Sequence, residues 1–237
     1  MNALLHERVT IPAHELGDLT GELCYPAAGR PDIAVLIAGP HPYMGGTMKN
    51  PLIVALAERI ARENAVCLRF DYGRPAGGGD ALAASMSAFW ATGRAPEDPR
   101  RFDEVRAATR FARRLGIDRL AVVGYSFGGA CAWQVAAETP PDSLVLISPT
   151  LTKHEFARVA SDAAPPRLLV LHAANDFSTP IDVVRDWAAS QPRRPELRVF
   201  PEGDHFFRGS EAEVAEVVAS FLTRGAPVAS TMEAPKC

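Results

Sequence analysis

The segment Leu120-Ala121-Val122-Val123-Gly124-Tyr125-Ser126-Phe127-Gly128-Gly129 leaves a chain few choices of fold. An apolar, β-branched run ends in G-x-S-x-G and passes directly into the helix-forming stretch Ala130-Cys131-Ala132-Trp133-Gln134-Val135-Ala136-Ala137-Glu138. Strand, tight turn and helix in that order lift a serine hydroxyl above the C-terminal edge of a parallel sheet, with the serine backbone held in a strained conformation. Glycines two residues to either side suit a turn that leaves no room for a Cβ there. Ser126 is therefore the candidate nucleophile.

Around this element the chain alternates apolar runs with helical patterns. Val9 to Ile11 and Leu19 to Tyr25 read as opening strands, and Ile33 to Ala38 as a more fully buried one. Asn50-Pro51 opens a helix running to about Glu63, an N-cap followed by proline at the first helical position. Then come strand Ala65 to Phe70, helix Phe102 to Leu115 closed by Gly116, and strand Arg119 to Gly124. Strands Ser143 to Ile147, Arg167 to His172 and Leu197 to Phe200 follow. A helix capped by Thr179-Pro180 sits among them, and the last helix opens on a capping box, Ser210-Glu211-Ala212-Glu213. This rhythm predicts an α/β protein: a doubly wound, mostly parallel sheet with helices on both faces. One domain over 1–224 accounts for it, without internal repeats, and 225–237 reads as a flexible tail.

Ligands of such sheets bind beyond the carboxyl ends of the strands, so the loops there should carry the chemistry. A serine alcohol needs a general base, normally a histidine held in one tautomer by a carboxylate. Asp176 follows strand Arg167 to His172, and His205 follows strand Leu197 to Phe200. The other loop that could supply an acid, Ser148-Pro149-Thr150, contains none. Asp176 also suits a turn or capping role, and Glu202 and Asp204 flank His205 as solvated turn residues. His6, His14 and His154 fit the base role less well, and His172 reads as a satisfied core histidine. His154-Glu155 lacks the second histidine of H-E-x-x-H, so no metal site is expected.

An oxyanion hole needs two backbone N–H groups. Phe127 supplies one, and the second should come from Gly39-Pro40-His41-Pro42-Tyr43-Met44-Gly45-Gly46. Prolines cannot donate, which leaves His41 or Tyr43, with a slight preference for Tyr43. Between Pro75 and Arg100, glycine-rich ends enclose Leu82, Met86, Phe89 and Trp90 at helical spacing. That segment reads as a lid insertion at about 75–100, with Met86, Phe89 and Trp90 as substrate contacts. Its alternative is a surface excursion packed on the domain. Leu151 to Pro166 is a second, shorter excursion that could wall the pocket.

Composition narrows the partners. The 237 residues carry a net charge of −3, with 47% hydrophobic and 22% charged residues. Nothing there favours nucleic acid or an anionic membrane surface. The N-terminus lacks a signal-peptide pattern, no apolar run approaches a membrane span, and the four cysteines form no C-x-x-C pair. The expectation is a cytoplasmic protein with reduced thiols, no cofactor and a small-molecule acyl substrate; a homodimer is compatible with the sequence.

The motifs P-H-P-Y-M-G-G-T-M-K-N, R-F-D-Y-G-R, G-Y-S-F-G-G, the Asp176 loop and G-D-H-F-F together make residues 19–224 resemble the small bacterial α/β-hydrolases related to dienelactone hydrolases. The resemblance implies the α/β-hydrolase fold and a triad of Ser126, Asp176 and His205. The His-Pro-His-Pro loop of that group implies an oxyanion-building turn, and here Gly39 replaces its first histidine. Dienelactone hydrolases carry cysteine as nucleophile, so Ser126 argues instead for a serine esterase or thioesterase acting through an acyl-serine. The same triad could serve C–C cleavage, cyclisation or dehydration in a biosynthetic pathway, or the fold could persist as a catalytically silent ligand-binding protein.

Overall fold

In the computed structural model, residues 3–73, 78–93, 99–157 and 164–224 are described. Eight strands form one sheet: β1 (Leu4–Ile11), β2 (Leu19–Pro26), β3 (Ile33–Ala38), β4 (Ala65–Phe70), β5 (Leu120–Tyr125), β6 (Ser143–Ile147), β7 (Leu168–Ala173) and β8 (Glu196–Phe200). Their spatial order is β1-β2-β4-β3-β5-β6-β7-β8. β1 pairs with β2, and β2 with β4, antiparallel; the remaining pairings are parallel. The helices are α1 (Pro51–Ala61), α2 (Gly78–Thr92), α3 (Arg100–Arg113), α4 (Phe127–Glu138), α5 (Ile181–Ser190) and α6 (Glu211–Thr223).

The apolar runs at β3, β4, β5, β6 and β7 become strands of the parallel part of the sheet, buried on both faces. Alternate residues of each strand enter opposite cores, as the two-residue period of a strand requires. Val35 and Ile37 join the core beneath α1 and α6, where Leu52, Leu56, Val214 and Val218 pack. Ala34, Leu36 and Ala38 join the other, with Val105, Ala108, Cys131 and Val184 from α3, α4 and α5. Fully burying each large aliphatic side chain contributes about 1.5–3 kcal/mol, so both faces are fixed to the sheet.

After β3 the chain goes by α1 to β4 on one side, then returns past β3 to place β5 on the other. The reversal opens a crevice at the carboxyl ends of β3 and β5. The loop after β3 and the turn after β5 both lie there.

Several local expectations are corrected. β1 is longer than Val9 to Ile11: most of its side chains are exposed, so its sequence shows little alternation, and backbone pairing from Leu4↔Pro26 to Ile11↔Leu19 extends it. Ser210 is the N-cap of α6 but makes no side-chain capping bond; its own N–H closes a turn onto Phe207 O at 2.9 Å, so the capping box does not form. The N-cap of α5 is Pro180, likewise without a side-chain bond. By contrast, Asn50 caps α1 as read, accepting from Leu52 N at 3.0 Å.

Cys24, Cys67 and Cys131 are buried free thiols. None of the helices among the described residues is long and apolar enough to cross a membrane. The proposed tail, 225–237, and the lid segments 74–77 and 94–98 lie outside the described residues.

Candidate active site

Ser126 stands between β5 and α4 with φ +56° and ψ −119°, a left-handed backbone that a serine rarely adopts. Its neighbours require this geometry. A Cβ on Gly124 would come within 2.5 Å of Gly128 O, and one on Gly128 within 2.1 Å of Ala38 O. Both contacts are with backbone, so only glycine lets α4 start this close to β3 and β5. Ser126 N–H donates to Ile147 O at 2.8 Å, which ties the turn to the end of β6.

The turn brings Ser126 Oγ to 3.0 Å from His205 Nε2. His205 Nδ1 in turn lies 2.9 Å from Asp176 Oδ2 and 3.0 Å from Oδ1. An ionised carboxylate only accepts, so Nδ1 carries the imidazole proton and Nε2 is left to accept from the serine hydroxyl. All three side chains are mostly buried, at 9, 8 and 6% exposure for Ser126, Asp176 and His205, so water competes weakly for these bonds.

Asp176 combines two roles weighed against each other in the sequence. Its Oδ1 caps the loop by accepting from Ser178 N at 2.7 Å and Thr179 N at 3.3 Å, while both carboxylate oxygens face His205. Burial pushes its pKa up, but hydrogen bonding and charge attraction from His205, with the Ser178 amide, outweigh that and hold the carboxyl below its ordinary range.

Three supporting side chains were not legible as such. Tyr125, inside the motif, donates its hydroxyl to His205 O at 3.0 Å, fixing the loop that carries the base. His172 is fully buried; its Nε2 donates to Thr179 O at 2.8 Å, but Nδ1 has no hydrogen-bond partner and faces Asp176 Oδ2 at 3.8 Å. The core role read for it is thus only half satisfied, and burial lowers its pKa and favours the neutral ring. His154 lies against the Phe127 ring at 5.1 Å, its Nδ1 2.8 Å from Thr150 Oγ1. Burial lowers its pKa from 6.5 to about 4.

The loop after β3 is braced from several sides. Tyr72 donates to Gly39 O at 3.2 Å, Asp71 accepts from Met48 N at 2.7 Å, and Arg69 donates to Met48 O at 2.7 Å. The R-F-D-Y motif therefore builds the loop. A fully buried ion pair completes the brace: Arg101 Nη1 bonds both Glu104 oxygens, at 2.7 and 2.8 Å, and Gly73 O at 2.8 Å. Arg101 Nη2 reaches Tyr43 Oη at 3.3 Å. Desolvating two charges is costly unless their remaining donors and acceptors are satisfied, and the contacts with Gly73 and Tyr43 satisfy further Arg101 donors. An Arg and a Glu three residues apart on a helix otherwise read as a solvated face.

The two candidate amides of this loop are placed differently. Tyr43 N–H donates to His41 Nδ1 at 3.1 Å, whereas the His41 ring packs on Phe127 at 4.3 Å. At the proposed lid, α2 packs beside the Pro42–Met44 turn of this loop. Phe89 meets Trp90 edge-on at 5.7 Å, Trp90 is 76% exposed and Met86 is partly buried. A surface concavity of about 680 Å³ between β8 and α6, lined by Val199, Pro201, Val217 and others, contains none of the triad. Among the described residues no cluster of three or more His, Cys, Asp or Glu is placed to hold a metal ion.

A family profile described as alpha/beta hydrolase fold matches residues 92–168. No curated protein sequence matches the chain. Among solved structures, an α/β serine hydrolase without lid from Xanthomonas campestris superposes with a TM-score of 0.75 at 21% identity, over 94% of this chain and 97% of that one. An α/β serine hydrolase homologue from Coxiella burnetii gives 0.74 at 21%, over 92% and 97%. A dienelactone hydrolase from Anabaena variabilis gives 0.71 at 17%, over 94% and 99%.

Proposed function

We propose that this chain, which has the α/β-hydrolase fold, is a serine hydrolase that cleaves carboxylic esters or thioesters through an acyl-serine. The observation that carries the reading is the continuous hydrogen-bonded line from Ser126 Oγ through His205 to Asp176 on a strained elbow. In it, His205 Nε2 takes the hydroxyl proton as Ser126 Oγ bonds to the substrate carbonyl carbon, and Asp176 stabilises the imidazolium. The developing oxyanion is held by Phe127 N–H, at the N-terminus of α4, and by an amide of the β3 loop. Of the two candidate second donors, His41 and Tyr43, the Tyr43 amide is turned onto His41 Nδ1 and would have to leave that bond to serve. His205 then protonates the leaving atom, and a water activated by the same ring releases the acid.

Among the described residues no cysteine competes as nucleophile: burial raises the Cys24 thiol to about 11 and pushes Cys67 and Cys131 up as well. The α/β serine hydrolase from Xanthomonas campestris among the similar solved structures is consistent with the reading. The test is labelling by a fluorophosphonate probe, with the adduct located by peptide mass spectrometry. The label is expected on Ser126 and is lost, together with turnover of an ester and thioester panel, in Ser126→Ala. Labelling elsewhere, or a variant within tenfold of wild type, would overturn the mechanism.

A further inference from the structure

We infer that Phe177 and Phe206 form the leaving-group side of this site and select esters whose alcohol part is apolar. The inference rests on the acyl-serine reading above.

Large apolar side chains that remain exposed are few among the described residues, and two of them directly follow the triad acid and base. Phe177 is 65% and Phe206 42% exposed. Their rings lie 5.7 Å apart, and both lie on the His205 imidazole, at 5.0 Å for Phe177 and 5.5 Å for Phe206. The fold holds Phe206 outward. Phe207, at φ +52°, turns the chain and fills the core against Phe200, so its neighbour must project the other way. The Arg208 guanidinium then stacks 4.6 Å from the Phe206 ring and restrains it.

The proton path decides which part of a substrate meets this pair. When the tetrahedral adduct collapses, the carbon–oxygen bond to the alcohol breaks and the proton taken from Ser126 passes from His205 Nε2 to the departing oxygen. That oxygen must lie within hydrogen-bond reach of the imidazole, whereas the oxyanion lies toward Phe127 N–H. The atoms beyond the departing oxygen therefore extend over the surface around His205, which Phe177 and Phe206 make apolar. The acyl chain, attached to the other side of the carbonyl carbon, does not need that surface.

Ethyl, hexyl and 3-phenylpropyl esters of butanoic acid separate the possibilities, because they share one acyl group and have alcohols of similar basicity. In Phe177→Ala/Phe206→Ala, the ratio of kcat/KM for the hexyl or phenylpropyl ester to that for the ethyl ester should fall about tenfold, the scale of a lost apolar contact. Phe177→Leu/Phe206→Leu should restore much of that ratio, and Leu5→Ala, an exposed apolar change on β1, should leave it as in wild type. All three esters give the same butanoyl-enzyme, so its single-turnover hydrolysis rate should not depend on which ester formed it in either protein.

A parallel loss for all three esters would mean that the rings only shield the Asp176–His205 bond from water, and would overturn the inference. A change in preference among ethyl esters of different acyl length, with the alcohol ratio intact, would place the rings on the acyl side and overturn it too. Absence of any acyl-enzyme together with absence of phosphonate labelling at Ser126 would instead break the acyl-serine reading, and the inference with it.

Discussion

Acidification should destabilise this protein through His154, and the size of the effect follows from its burial. The folded-state pKa is about 4 against an ordinary 6.5, because the ring is largely desolvated where it packs against Phe127 beside Thr150. Between these values the unfolded chain binds a proton that the folded chain does not, so stability falls as pH falls. The contribution is intact above pH 6.5 and fully lost by about pH 4. At about 1.4 kcal/mol per tenfold change in proton affinity, the full displacement corresponds to about 3–4 kcal/mol, of which about 2–3 kcal/mol is lost by about pH 4.5. His172 is shifted in the same direction, and the depressed Asp176 carboxyl adds a loss at still lower pH, so wild type alone does not isolate the effect. His154→Asn does, since asparagine can keep an acceptor for the Thr150 hydroxyl but cannot titrate. Urea unfolding of both proteins between about pH 7.5 and 4.5 should show wild type losing about 2–3 kcal/mol more than the variant. Parallel losses would refute the argument, because His154 would then be accessible to protons in the folded state.

Three further substitutions test the site and its elbow. Asp176→Asn keeps an oxygen for the Ser178 and Thr179 amides but removes the charge that selects the His205 tautomer; kcat should fall about 10⁴-fold with little change in melting temperature, and an unaffected rate would move the orienting role to Glu202 or Asp204. Gly128→Ala places a methyl 2.1 Å from Ala38 O, and thermal melts should show a loss of about 3 kcal/mol, whereas Gly129→Ala, with nothing closer than 3.5 Å, should be neutral or stabilising. Equal effects at the two glycines would show that α4 can move away from β3.

What the sequence determined are features with a local cause. The buried strands were legible because parallel strands covered on both faces are continuous apolar runs, and Ile33–Ala38 and Ala65–Phe70 have the bounds expected of them. The elbow was legible because the backbone at Ser126 needs glycines at fixed offsets. The candidate acid and base could be read because a doubly wound sheet gathers the loops at its strand ends, and the structure places Ser126 and Asp176 each within hydrogen-bond distance of His205.

Only tertiary structure decided the rest, since each such feature depends on contacts between residues far apart in the chain. Arg101 and Glu104 are a fully buried brace because Gly73 and Tyr43 meet them there, a fact that their helical spacing conceals. Phe206 and Phe207 are identical in type and adjacent, yet one faces solvent beside His205 and the other fills the core, because Phe200 claims Phe207. The Tyr43 amide was favoured for the oxyanion on sequence, but the loop turns it onto His41 Nδ1. A sequence fixes which groups a loop offers; the packing of distant elements against it sets where those groups point.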